Sequence, residues 1–190
     1  MNYKDYLTII SPPDRVDNKI RLFKRACGNS IGKFPGMYAK AHISFDIIRD
    51  NIDQYSKKPL ALKSFYELLD FKIRTIPSHQ LKINGFNFFC HGPGLRTIYA
   101  AIDMDEETEN WFNTVKQALR INKKLKPHIT VTRSIPIEFF NILWPYFQNT
   151  EYIDTFEADS LLILEKESGN PFDHYREYKK LPFGKKSLLF

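Results

Sequence analysis

Ala41-His42-Ile43-Ser44-Phe45 and Pro127-His128-Ile129-Thr130-Val131 carry one pattern twice: a histidine, an aliphatic residue, a hydroxyl residue and a further hydrophobe. Successive side chains on a β-strand point to opposite faces. His42 and Ser44 therefore share a face, as do His128 and Thr130, and the aliphatic residues between them turn toward a core. Two such strands side by side bring two imidazoles and two hydroxyls into one cleft. That is the equipment for metal-free acid–base chemistry on a phosphate ester. The same spacing also admits a plainer reading, two half-buried strand histidines each bonded to a neighbouring hydroxyl.

The flanking sequence repeats in the same order. Tyr6 to Ile10 is an apolar run closed by Ser11-Pro12-Pro13, which ends a strand and opens a helix. Val16, Ile20, Phe23 and Cys27 follow at helical spacing. The first histidine strand begins near Lys40. Leu62, Phe65, Tyr66, Leu69 and Ile73 mark a second helix, and Leu81 to Phe89 a strand with a bulge or bend at Gly85. A second cycle then opens with a strand at Thr97 to Ile102. Asp103 to Asp105 start a helix whose stripe is Trp111, Val115, Ala118 and Leu119, and the second histidine strand follows. The next helix turns Phe139, Phe140, Leu143, Trp144 and Phe147 inward. Strands at Tyr152–Glu157, Leu161–Glu165 and Tyr175–Leu181 complete the chain, with a turn at Gly169-Asn170-Pro171. Strand–helix–histidine strand–helix–strand thus occurs twice. The expectation is an α+β fold: one bilobal domain over residues 1–190, made of pseudo-two-fold duplicated β-α-β units, with the two motifs facing each other.

Bulk composition agrees with a packed core and an anionic partner. The 190 residues are 43% hydrophobic and 15% aromatic, with sixteen Phe and ten Tyr, and the formal charge is +6. No run of lysine and arginine forms a tail, so that charge is spread over a folded surface, and nucleic acid is the usual partner for it. Cys27 and Cys90 make neither a disulfide framework nor a zinc set. Cys27 continues the apolar stripe of its helix. Cys90-His91 ends a strand, where adjacent side chains point apart, which disfavours a nucleophile pair. The N-terminus lacks a signal-peptide layout and no apolar run is long enough to span a bilayer, which makes the cytoplasm the expected compartment. A glycine-rich phosphate loop, an HExxH string and clustered carboxylates are all missing from the sequence. The expectation is no cofactor and no metal. His79 and His174 lack the motif.

Paired His-x-Ser/Thr strands resemble the two-histidine phosphoesterase superfamily. Within it the chain is most similar to the bacterial 2'-5' RNA ligase family. Pro127-His128-Ile129-Thr130-Val131-Thr132-Arg133 resembles that family's second motif, including the trailing arginine. The first motif departs mildly, with Ala41 where proline is frequent and Ser44 where threonine is frequent. Tyr6 to Pro13 is similar to the family's opening strand and helix start, Arg96-Thr97-Ile98-Tyr99 to its mid-chain strand, and Leu161 to Pro182 to its terminal hairpin. The resemblance implies two mainly antiparallel sheets lining a central cleft. It implies a monomer acting on RNA ends or nucleotide cyclic phosphates, by hydrolysis of 2',3'-cyclic or 2',5'-linked phosphodiesters and by reversible 2'-5' ligation. His42 and His128 are then base and acid, in an order the sequence leaves open, and Ser44 and Thr130 bind the phosphate oxygens.

Two further residues carry alternative readings. Arg133 is a phosphate ligand, since guanidinium suits phosphate geometry, or a surface arginine at a strand end. Tyr175 is a packed aromatic or a platform for a base. Lys40 and Lys126 are solvated or steer an anion. Two rival functions also stand: a non-catalytic RNA-binding module with the same cleft, and a phosphodiesterase for a non-RNA cyclic phosphate.

Overall fold

The computed structural model describes residues 3–51, 62–170 and 172–185. Its elements run β1 (Tyr3–Ile10), α1 (Asp14–Ile31), β2 (Ile43–Asn51), α2 (Leu62–Thr75), β3 (His79–His91), β4 (Leu95–Ile102), α3 (Glu106–Ala118), β5 (His128–Pro136), α4 (Ile137–Gln148), β6 (Ile153–Ala158), β7 (Ser160–Glu167) and β8 (Arg176–Pro182). The order β-α-β-α-β occurs twice, as the sequence pattern implies. The side chains of Leu62 and Tyr66 and the turn residue Pro171 lie outside the described residues.

The helices form where their ends are satisfied and one face is apolar. Pro13 precedes α1, whose first turn carries Asp14 and Asp17 against the positive end of the helix. Asp105 caps α3 by accepting the Thr108 N–H at 2.8 Å, ahead of Glu106, Glu107 and Glu109. The expected stripes Val16–Ile20–Phe23–Cys27 and Trp111–Val115–Leu119 are buried, Phe112 joins the second, and Ala118 is partly buried. In α4 one residue departs from expectation. Phe140, Leu143 and Phe147 are buried, while Phe139 lies on the flank with Ile142 and Tyr146 and is exposed. Five apolar residues in nine cannot all fit a stripe that faces one core, and Phe139 is the one turned out.

The strands make two four-stranded antiparallel sheets, ordered β2-β1-β7-β8 and β5-β4-β3-β6. Each sheet draws on both cycles or on the chain's end. β3 leaves the first cycle to pair with β4, and the first sheet is completed by the β7–β8 hairpin. One continuous apolar cluster, from Tyr6 and Ile10 through Ile98 and Ile129 to Leu181, runs beneath both sheets. Gly85, at φ 70°, sits at the irregularity in the β3–β4 pairing, as expected for a bulge. Most strand starts shift by one to three residues from expectation, and two of the shifts touch the site. β2 begins at Ile43, so His42 is the last residue before the strand, and β8 begins at Arg176, just after Tyr175.

Candidate active site

Both histidine strands are edge strands, β2 in one sheet and β5 in the other, and they approach each other. Each carries a bulge at the same place. Thr8 pairs with Asp46 and Ile9 with Ser44, which leaves Phe45 as the extra residue of β2. Ile98 pairs with Thr132 and Tyr99 with Thr130, which leaves Val131 extra in β5. Phe45 and Val131 each stand three places after the histidine and both are buried. The extra residue turns into the core while the histidine and hydroxyl keep facing the cleft. The duplication therefore extends to the local backbone.

The imidazoles are oriented identically. His42 Nδ1 lies 2.8 Å from the Lys40 carbonyl oxygen, and His128 Nδ1 lies 2.7 Å from that of Lys126. A carbonyl can only accept, so Nδ1 is the protonated nitrogen in both rings. The neutral tautomer then leaves the Nε2 lone pair uncommitted, and protonation makes Nε2 a donor. His42, Ser44, His128 and Thr130 line one cavity of about 810 Å³ between the sheets. Burial holds both imidazoles below the ordinary value of 6.5, and the carbonyls that accept from Nδ1 oppose that shift. The charges of Lys24 and Arg133 push His42 further down, and those of His42, Lys126 and Arg133 do so for His128.

The segment before His42 is gripped by one stripe of α1. Lys24 is buried, 3% exposed, and its Nζ donates to the carbonyls of Ala39 at 2.7 Å and Gly36 at 3.0 Å. Asp17, also buried, accepts the Ala41 N–H at 2.7 Å and pairs with Arg21 at 2.6 Å. Gly28, one turn beyond Lys24, leaves room for the methyl end of Met37, which an added Cβ would meet. Burial lowers the Lys24 ammonium to about 8, and the Asp17 carboxylate counters part of that. Sequence reasoning passed over Asp17 and Lys24. The available signal was two charged residues placed beside the apolar stripe rather than opposite it, at Asp17 after Val16 and Lys24 after Phe23.

Arg133 reaches the cleft because the bulge at Val131 shifts the alternation of β5. Strict alternation from His128 would put Thr132 in the cleft and Arg133 in the core. Instead Val131 and Thr132 are both buried and Arg133 turns out, and a second bulge follows, where Arg96 pairs with Ile135 and Ile98 with Thr132 and Arg133 and Ser134 stand against Thr97 alone. Ser134 takes φ 48°, a left-handed conformation unusual outside glycine. Two threonine hydroxyls staple the distortion: Thr97 Oγ1 accepts the Ser134 N–H at 2.9 Å, and Thr132 Oγ1 accepts that of Ile98 at 3.2 Å. His91 Nε2 stands 3.0 Å from Thr97 Oγ1. Thr132 is buried, and Arg133 lines the cavity close to Gly36 of the opposite loop.

The cavity wall is cationic. Lys24, Lys40, Lys123, Arg133 and Lys166 line it, against one carboxylate, Asp46, which is paired with Lys123. That pair joins β2 to the segment before β5. Tyr175 lines the wall with Lys166 Nζ 5.1 Å from its ring centre. Phe89, which sequence reasoning did not single out, lines it too, edge-on to His128 and stacked on Tyr99, with Lys126 above both rings. Its place on a strand mapped as core concealed it. His79 is buried against Thr108 and Trp111, away from the cleft, and His174 is exposed. Cys27 is a core thiol that burial raises to about 12, and Cys90 is exposed. Among the described residues no three His, Cys, Asp or Glu side chains group to hold a metal ion. Among them, too, no helix is long and apolar enough to cross a membrane.

No protein-family model and no curated protein matches the chain. Solved structures do. TT0787 of Thermus thermophilus superposes with a TM-score of 0.64 at 14% identity, covering 98% of this chain and 100% of that one. A structure described as a phosphoesterase gives 0.58 at 12%, covering 96% and 99%. E. coli LigT in complex with 3'-AMP gives 0.58 at 12%, covering 96% and 99%. The chain has the LigT-like α+β fold of these structures.

Proposed function

We propose that the chain is a metal-independent phosphoesterase whose base and acid are His42 and His128, acting on 2',3'-cyclic or 2',5'-linked nucleotide phosphodiesters. One observation carries the reading: two imidazoles in one cationic cleft, each committed through Nδ1 to a backbone carbonyl and each left with an uncommitted Nε2. A neutral Nε2 takes a proton from water as the water oxygen attacks phosphorus. The bond from phosphorus to one ribose oxygen breaks, and the other imidazolium gives that oxygen its proton through Nε2. Ser44 and Thr130 donate to the non-bridging oxygens as charge moves onto them. Arg133 and Lys24 supply fixed positive charge beside His42. With a 5'-hydroxyl in place of water as the nucleophile and the ribose 3'-oxygen as the protonated leaving group, the same steps join two RNA ends through a 2'-5' linkage. Tyr175 and Phe89 are the aromatic faces against which a base stacks. The complexes of E. coli LigT with 3'-AMP and ATP support a nucleotide as ligand.

The cleft on its own disfavours the imidazolium that the acid requires, and a bound phosphodiester anion restores it. The kcat/KM profile, which reports the free enzyme, should be bell-shaped with its optimum on the acid side of 6.5, and the kcat optimum should lie higher. Hydrolysis is to be measured over a panel of 2',3'-cyclic and 2',5'-linked nucleotides in EDTA. Turnover of one or more to a single monophosphate isomer is the expected result. His42→Ala and His128→Ala should each cost about 10²–10⁴-fold in kcat. Activity that is lost in chelator and returns with a divalent ion overturns the mechanism. Tight, salt-dependent RNA binding without turnover in the parent would leave a binding module.

A further inference from the structure

The two motifs differ at the residue before the histidine, and that difference assigns work to a side chain far away in sequence. His128 follows Pro127, which has no N–H and whose φ is locked by its ring. His42 follows Ala41, whose N–H is buried and is accepted by Asp17 Oδ1 at 2.7 Å. The carbonyl that orients His42 belongs to Lys40, and the bonds on either side of it are both made by α1: Ala39 C=O to Lys24 and Ala41 N–H to Asp17. The Lys40–Ala41 peptide unit that sets the imidazole is thus held at its own N–H by Asp17, and the unit before it is held at its carbonyl by Lys24. Arg21, the other partner of Asp17, is half exposed and bonds the second carboxylate oxygen.

We propose that Asp17 is the positioning residue for His42, doing through an accepted hydrogen bond what Pro127 does for His128 by having no donor to satisfy. Lys24 completes the clamp on the preceding carbonyls. The consequence for the chemistry rests on the catalytic reading of His42 above. The consequence for the ring itself does not.

The test compares D17A, D17N, A41P and the double variant D17A/A41P, with 2',3'-cyclic AMP as probe substrate. In parallel, two-bond ¹H–¹⁵N imidazole spectra of the substrate-free protein read the His42 tautomer. D17A should lower kcat about tenfold with KM within about threefold, the signature of a misplaced catalytic group rather than lost binding. D17N should stay within about threefold of the parent, because its amide oxygen still accepts the Ala41 N–H. In the A41P background D17A should cost nothing further, since no donor remains to be satisfied. The spectra should show the Nδ1–H tautomer in the parent, in D17N and in the double variant, and a mixture in D17A.

An equal loss from D17A with and without A41P overturns the proposal. So does a D17A chain that matches the parent in kcat and tautomer. If A41P fails to fold, the contrast of D17A with D17N decides, and equal losses in the two would refute the clamp. If the parent turns nothing over, the phosphoesterase reading falls and the tautomer still decides this one.

Discussion

His42 is reached through a loop that α1 grips with Asp17 and Lys24, whereas His128 is reached through Pro127 and a short segment tied to β2 by the Lys123–Asp46 pair. The inner parts of the two halves match: the same Nδ1 bond, the same hydroxyl two places on, the same bulge three places on. The outer parts do not. The second half alone has the further bulge at Arg133 and Ser134, and the first half alone has the buried ion clamp. The atoms that would meet a phosphate are arranged symmetrically, and the scaffolding that holds them is free to differ.

Three measurements would break or sharpen that comparison. The largest effect should come from Thr97→Val, which keeps the shape of a buried residue and removes the acceptor for the Ser134 N–H. The Ser134 N–H is part-buried, and a donor left unsatisfied there costs toward the lower end of about 1–3 kcal/mol. Urea unfolding should report that loss, and KM should rise as Arg133 loses its aim. An unchanged KM would show that the second bulge does not serve the cleft. Pro127→Ala should be milder. It adds an N–H at a buried residue and it loosens the unfolded chain, for about 1 kcal/mol together. Calorimetry should find it less stable than the parent, and equal stability would end the analogy between Pro127 and Asp17.

The smallest effect concerns acid. Burial places both imidazoles below 6.5 in the folded chain. Above the unfolded value neither state holds the extra proton, so the histidines cost nothing there. Below it the unfolded chain takes up protons first, and stability falls as pH drops through the folded-state values. His42→Gln and His128→Gln should therefore each lose less stability than the parent between about pH 7 and about pH 5. Identical acid profiles in urea titrations would show that the rings are solvated rather than buried.

Strand alternation is a local rule, and features that obey local rules were legible in the chain. His42 with Ser44 and His128 with Thr130 needed only a period of two, and the helices needed only their apolar spacing. Arg133 was legible as a residue type, but its route into the cleft was not, because a bulge breaks the alternation that would otherwise send it to the core. Asp17 and Lys24 were illegible for a related reason. Each serves backbone atoms that only the fold brings to α1, and on a helical projection each looks like the margin of a polar face. Phe89 was hidden by belonging to a strand whose other aromatics are core. Phe139 erred in the opposite direction, since hydrophobicity marks what can be buried and the number of places available decides what is.

The position of β2 and β5 at the margins of their sheets has a consequence for the protein's behaviour in a crowded solution. A free strand margin offers unpaired backbone groups to any passing chain and is a template for aggregation. Here both free margins that carry the motifs turn toward each other, and both are kinked beside the histidine by an extra residue. A strand arriving from another molecule would meet a broken register and a wall of lysines. The same distortions that present imidazoles to a small anion thus make those margins poor sites for stray β-pairing, so straightening either bulge would carry a solubility penalty as well as a functional one.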